Sequence, residues 1–424
     1  MRITRLTTRS GVALGAALVA ATALAGCGAL GADGGNDTGS GGGEEPEAGD
    51  GVITFWHYYG EPHGIPLEET LAKYSEETGV EVEPRFIPFD DFNRTLQQSA
   101  AAGELPDIAL INAFDTGQMA DAGIIEDISA YVDEWGEQDS YYPTGWETGQ
   151  VDGVTYGIPH LADDYAVYVN EDILAEAGVA VPTTWDEMEE AAAQVASSGA
   201  APYGIAVAGV EGAEGATAVL LRALAAGGSL ETFGDAAGIE ALESFQRMVE
   251  SGALSEGFLT WNEDDAMTAF TNGEVAFAIN SASAVNVVSE AAPDMNWTVA
   301  PIPSDETTAT FLSAENLAIG AGSPDADAAW DLIAWLQQPD VLEVYLPERN
   351  KLPARNDVPV DDPTRQIFAD QLANAWAPTG DVATHSNEAL TLVQQAMQQV
   401  VSGSASPADA AAAAQSGIDE ALGN

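Results

Sequence analysis

The sequence predicts an α/β chain of two lobes, each a sheet flanked by helices. Three observations predict it. Strand and helix patterns alternate as β-α-β-α-β from Val52 to Ile111, the order of parallel strands joined by right-handed crossovers. The alternation continues to the C-terminus without an internal repeat or a tandem-domain linker. The chain has 424 residues, 46% of them hydrophobic, which is more chain than one core usually covers and enough apolar surface for a large one.

Val52-Ile53-Thr54-Phe55-Trp56 is the first β-rich run. Pro66 to Thr78 reads as a helix, with Leu67, Leu71 and Tyr74 on one face and Gly79 as its stop. Val80 to Ile87 is a second strand. Asp90 to Ala102 is a second helix, opened by Asp90 as N-cap and closed by Gly103. Pro106 to Ile111 is a third strand, nearly all apolar as buried parallel strands are. Pro106 opens it, where a missing N–H costs little. Further on, Thr184 to Ser197 is a helix whose Thr184 and Glu187 form a capping box. Tyr203 to Ala208 reads as a strand, and Ala216 to Ala226, Ile239 to Ser251 and Asp264 to Thr271 as helices. Gly273 supplies the turn into a strand over Val275 to Asn280, and a helix follows from Ala284. Leu317 to Ile319 is a strand. Ala326 to Leu336, Asn387 to Val401 and Pro407 to Leu422 are helical.

The N-terminus has a different character. Arg2, Arg5 and Arg9 precede an apolar run from Gly11 to Leu24, of signal-peptide length and short for a bilayer span. Leu24-Ala25-Gly26-Cys27 then resembles the lipobox of bacterial lipoproteins, and Cys27 is the sole cysteine. The resemblance implies that residues 1–26 are removed and Cys27 is acylated, fixing the protein to the outer face of the cell membrane. Two or more acyl chains hold stably where one is marginal. With that thiol committed to lipid, no internal disulfide is available. Gly28 to Asp50 is rich in Gly, Ser and acidic residues and reads as a flexible tether.

The charge balance narrows the partners. There are 68 acidic and 12 basic residues, a formal charge of −56, and loss of Arg2, Arg5 and Arg9 takes it to −59. Such a surface repels nucleic acid and anionic headgroups. Its self-repulsion calls for screening cations, as in a salt-adapted organism.

Six stretches carry a family resemblance. They are Ile53-Thr54-Phe55-Trp56-His57, Gly103 to Ile108 (G-x-x-P-D-hydrophobic), Tyr156-Gly157-Ile158-Pro159 with Tyr168-Val169-Asn170, Pro182 to Glu187 (P-x-T-W-D-E), Phe270 to Phe277, and Leu352-Pro353-Ala354-Arg355. In this order the chain resembles an extracellular solute-binding protein of an ABC sugar importer, of the group that includes maltose-binding proteins. The resemblance implies a type II periplasmic-binding-protein fold with a hinge of several crossings. Lobe 1 would comprise 51–162 and 308–350, and lobe 2 163–307 and 351–424. It further implies a monomer without cofactor or catalysis, which closes on a di- or oligosaccharide and delivers it to a membrane permease.

A sugar site needs flat aromatic platforms and a few polar groups, and ligands of open α/β folds sit beyond the carboxyl ends of strands. Trp56 and His57 end the first strand. Asn112 and Asp115 follow the third, Asp115 also fitting a helix cap. Asp163, Asp164 and Tyr165 lie at the first crossing. Trp261 precedes an acidic helix start, and Asn280 and Ser281 end a strand. Ser313, Glu315 and Asn316 precede the strand at Leu317, and Trp376 lies in a Pro- and Gly-containing loop. Arg349 and Lys351 fit either a ligand contact or a hinge salt bridge.

Three other readings compete with this one. A metal binder needs clustered ligands, but His57, His63, His160 and His385 lack helix-face spacing. Tyr58-Tyr59 and Tyr141-Tyr142 would point oppositely on an extended chain. A glycosidase needs a paired acid and base, and no G-x-S-x-G, H-E-x-x-H or phosphate loop is present. The same fold with another solute, a polyamine, an amino-acid derivative or a glycerol phosphate, stays open. Scarce Lys and Arg disfavour a phosphate ester, and nine tryptophans favour a sugar.

Overall fold

Two β-sheets, each mixed in direction, organise the chain. The computed structural model describes residues 51–304 and 310–423, which fall within a unit spanning Glu47–Asn424. The expected leader, Cys27 and the tether to Asp50 lie outside the described residues. The strands are β1 (Val52–His57), β2 (Glu81–Phe86), β3 (Ile108–Asn112), β4 (Gln150–Val151), β5 (Val154–Thr155), β6 (Ile158–Asp163), β7 (Tyr165–Asn170), β8 (Ile205–Ala206), β9 (Phe277–Ser281), β10 (Trp297–Ala300) and β11 (Ser313–Ile319). One sheet has the order β2-β1-β3-β11-β6, the other β10-β7-β9-β8, and β4-β5 is a small hairpin.

The expected parallel sheet is realised only in part. β1 pairs in parallel with β2 and β3, joined by the helices Ile65–Thr78 and Phe89–Ala102. β11 runs antiparallel to both β3 and β6, because it returns from the other sheet rather than through a βαβ crossover. In the second sheet only β8 and β9 are parallel. The strand expected over Tyr203 to Ala208 shortens to β8. Next to it, an added Cβ on Gly204 would lie 2.1 Å from the Ala192 carbonyl oxygen, so a helix backbone packs on the sheet face there, while the Gly204 carbonyl accepts from Ala276 and Phe277 N–H.

Local signals set most helix ends. Gly79 and Gly103 close their helices with φ of 80° and 71°, a conformation that costs glycine little. Asp90 is not the N-cap of its helix. Pro88 holds that position without a side-chain cap, and Asp90 sits in the first turn, where a carboxylate favours the helix dipole. The helix Trp185–Ser198 opens with the full Thr184–Glu187 capping box.

Helices flank both sheets. Pro339–Arg349 packs on Ile65–Thr78, and Ser386–Val401 packs on Pro407–Ala421 and on Ala236–Glu250. Thr217–Ala225 is buried on every side, as its apolar circumference requires. Between β6 and β7 a single residue, Asp164, carries the chain from one sheet to the other. After the helix Pro339–Arg349, Leu352 bridges back to Ala162, beside that same passage.

Candidate functional site

Loops at the strand ends converge on the junction of the two sheets. After β1 the chain turns through Tyr58, Tyr59, Gly60 and His63. With Glu315 of β11, Ser283 beyond β9, and Arg349, Asn350 and Lys351, these line a recess of about 280 Å³. His63, Ser283 and Asn350 also line an adjoining groove of about 510 Å³, whose other walls include Glu263, Asp264, Asn280, Ser281 and Glu290.

Beside these cavities sits a cluster of rings. Phe311 lies 5.6 Å from Phe114, 6.0 Å from Tyr165 and 5.7 Å from Trp376, centroid to centroid. A short β-bridge pairs Phe311 with Trp376, and Leu312 N–H donates to the Trp376 carbonyl at 2.7 Å. The Tyr165 hydroxyl donates to Glu263 Oε1 at 2.6 Å, so the ring cluster is tied to the wall of the groove.

The charges here are held in unusual states. Lys351 Nζ pairs with Asp163 Oδ2 at 2.7 Å. Burial opposes the Lys351 charge, yet Asp163 and Glu315 outweigh it and raise the ammonium pKa. Asp163 also accepts from Ala282 N–H and the Ser283 hydroxyl, at 2.9 and 2.6 Å. Asp164 is fully buried, and burial followed by the Asp163 charge pushes its carboxyl well up. Burial lifts Glu263 to about 7, against the lowering effect of its bond from Tyr165. Glu315 is raised by burial and partly restored by Lys351 and Arg349. Burial and then the Arg349 charge lower His57 to about 4.

The structure places the expected residues unevenly. Tyr165, Asn280, Ser281 and Glu315 meet at the cavities or the ring cluster, and Trp376 joins the rings. Asp163 faces inward to Lys351 and Ser283. Asp115 accepts from Asn93 Nδ2 at 2.8 Å and makes no side-chain helix cap. Asn112 supplies a cap instead, accepting from Phe114 N–H. Trp261 is half-buried, with its carbonyl accepting from Gly209 and Val210 N–H.

Three expectations need correction. Trp56 is not on an open face, since it packs with Ile87, Phe92 and Ile111 and the Arg85 guanidinium covers it at 4.5 Å. His57 is fully buried, with Nδ1 accepting from Tyr59 N–H at 3.3 Å. Asn316 is fully buried too, its Nδ2 donating to Thr116 Oγ1 and the Thr148 carbonyl at 2.9 and 3.0 Å. Ser313, Glu315 and Asn316 lie within β11 rather than before it. Of the two scarce cations, Lys351 makes an ion pair. Arg349 has none among the described residues, donating instead to the His63 carbonyl at 2.6 Å and lying 3.6 Å over the Tyr59 ring.

Sequence reasoning missed Tyr58, Tyr59, Phe114, Ser283 and Phe311. The position of Tyr58 and Tyr59 just past the carboxyl end of β1 was the signal available. Among the described residues no group of three or more His, Cys, Asp or Glu side chains converges to hold a metal. No helix among them is long and apolar enough to cross a membrane.

Comparison with known proteins gives this geometry a context. A binding protein of Brucella abortus (strain 2308) is 26% identical over 383 residues, 83% of this chain and 91% of that one. The maltotriose-binding protein of Pyrococcus abyssi is 24% identical over 339 residues, 76% of this chain and 70% of that one. Among solved structures, the cyclic alpha-maltosyl-1,6-maltose binding protein of Arthrobacter globiformis superposes with a TM-score of 0.77 at 24% identity, covering 88% of this chain and 98% of that one. The GacH receptor of Streptomyces glaucescens, solved unliganded and with acarbose, gives 0.75 at 22% identity, with coverage of 88% and 98%. The fold is the two-lobed α/β architecture of these binding proteins. The sequence profile of the bacterial extracellular solute-binding proteins matches residues 69–372, well over half of the chain. The chain belongs to the bacterial extracellular solute-binding protein family.

Proposed function

We propose that this protein is the lipid-anchored substrate-binding component of an ABC importer, capturing a di- or oligosaccharide and handing it to a membrane permease. The observation that carries the reading is the ring cluster Phe114, Tyr165, Phe311 and Trp376 beside a polar groove. Flat rings cover the apolar faces of a sugar while carboxylates and amides take its hydroxyls. The names of relatives that bind maltotriose, acarbose or a cyclic maltose derivative support the same class.

In this reading Tyr165, Trp376, Asn280, Ser281 and Glu315 contact the sugar, and Asn112, Asp115 and Trp261 border it. Asp163 and Asp164 serve the crossing between lobes, whose proposed bounds are 51–162 with 308–350 and 163–307 with 351–424. Cys27 carries the lipid that keeps the protein on the outer face of the membrane, and the protein works as a monomer. Titration with a panel of mono-, di- and oligosaccharides, followed by tryptophan emission and calorimetry, tests the central reading. Saturable binding without breakdown of the sugar is expected, and silence across the panel overturns it. Release of a Cys27→Ala variant into the medium is the expected result for the anchor.

A cationic solute is the second reading, favoured by Glu263, Asp264, Glu290 and Glu348 around the outer groove. Spermidine in the same panel separates the two. Tighter binding of spermidine than of any saccharide would select the cation.

A further inference from the structure

The recess behind the groove holds polar groups that the fold leaves unused. The Tyr59 hydroxyl and Nε of Arg349 are shielded from solvent and lack hydrogen-bond partners, and the buried Tyr58 hydroxyl and Glu315 carboxylate have only each other. All four residues line the same space of about 280 Å³. A buried polar atom without a partner costs about 1–3 kcal/mol, and more when charged. Two such atoms beside an isolated hydroxyl–carboxylate pair, in one small recess, mark a place where a ligand supplies the missing partners.

The chemistry of that ligand follows from the charges. Lys351 is committed to Asp163, so it adds no net charge. Arg349 is 3% exposed and faces the recess together with Glu315, a guanidinium beside a carboxylate. An anionic ring would meet Glu315, and a cationic ring would meet Arg349. A neutral ring with neighbouring hydroxyls satisfies both, accepting from Arg349 and donating to Glu315. The volume lies just below the usual range for small-molecule sites and suits a single ring. The adjoining groove, sharing His63, Ser283 and Asn350, has room for the units that follow.

We infer that the recess bounded by Tyr58, Tyr59, Glu315 and Arg349 seats one terminal, uncharged sugar ring, so that the protein reads a free chain end. This rests on the sugar reading given above. Arg349 and Glu315 are then the specificity-determining pair for that ring.

The test uses the full-length protein and the tightest linear oligosaccharide found in the panel. Arg349→Gln and Glu315→Gln are each expected to weaken its binding roughly 10- to 100-fold. A cyclic oligosaccharide built from the same units, and the linear sugar carrying an O-methyl group at one end or the other, are compared on the wild-type protein. Weaker binding of the cyclic form, and of one end-blocked form, is expected. Unaltered affinity in both variants, or equal affinity for linear, cyclic and end-blocked sugars, overturns the inference while leaving the sugar reading intact. Such a recess then holds solvent only. Absence of binding by every saccharide overturns both. Should either variant fail to fold, the wild-type comparison of linear, cyclic and end-blocked sugars decides alone.

Discussion

Lys351 and Asp163 are 188 residues apart in the chain and 2.7 Å apart in space. Asp163 ends β6 and is 4% exposed, and its other bonds reach Ala282 and Ser283 past β9. One carboxylate thus ties three separate chain segments where the sheets meet. Removing one member of such a pair strands the other charge. Lys351→Met is expected to destabilise the fold by about 2 kcal/mol, less than a fully buried pair because the lysine retains some solvent contact. Asp163→Ala is expected to cost more, because three further donors, Asp164 N–H, Ala282 N–H and the Ser283 hydroxyl, lose their acceptor. Urea denaturation of both variants measures the difference.

Stability should depend on the ionisation of Glu263. A carboxyl raised to about 7 from the ordinary 4.5 holds its proton more tightly when folded than when unfolded. Its contribution is present below pH 4.5 and is lost as pH rises through 7. Glu263→Gln removes that loss, and about 2 kcal/mol of relative stabilisation is expected at pH 8 compared with pH 4.5. The buried His57 and His160, lowered to about 4 and about 3, act oppositely. They weaken the fold as pH falls below 6.5. Urea midpoints of wild type and variant across pH 4 to 8 isolate the Glu263 part, since the histidines are common to both.

Gly204 is where a helix backbone presses on a strand. An added Cβ would meet the Ala192 oxygen at 2.1 Å and the Ala192 Cα at 2.4 Å, neither of which is a movable side-chain tip. Gly204→Ala is expected to destabilise by about 3 kcal/mol, read as a drop in thermal midpoint. An unchanged midpoint would show that the helix Trp185–Ser198 shifts freely.

Trp376 stands against Phe311 in the ring cluster. Trp376→Ala is expected to weaken sugar binding by about 30-fold or more, with a smaller loss for Trp376→Phe. Equal affinities in calorimetry would remove Trp376 from the site.

The net charge of −56 gives a further expectation. Thermal stability should rise steadily from low salt to molar potassium chloride as self-repulsion is screened. A flat profile would detach the acidity from salt adaptation.

Legibility in the sequence followed distance along the chain. The Thr184–Glu187 box and the glycine helix ends were readable because their partners lie within four residues. Asn316 was misread because a polar residue in an apolar strand looks like a cleft edge. Its partners Thr116 and Thr148 come from far away in the sequence. Trp56 failed for the same reason: whether a strand-end indole is open or covered depends on Arg85 and on the helix carrying Phe92 and Leu96. As neighbours on an extended chain, Tyr58 and Tyr59 would point apart. The strand stops at His57, and past it both rings turn into one recess, 5.4 Å between centroids. The family motifs marked the architecture, since they encode turns and caps, and carried no information on the solute.

The lone residue between β6 and β7 limits how the halves can move. Consecutive Cα atoms are about 3.8 Å apart, so the two sheets are stitched together at Asp164 like pages at a book's spine. Sliding is forbidden there, and swinging is what remains. Atoms near the spine barely travel, whereas those at the far edge sweep a wide arc. A guest lodged against the binding therefore meets nearly the same walls whether the covers are ajar or shut, and one at the fore-edge feels the difference in full.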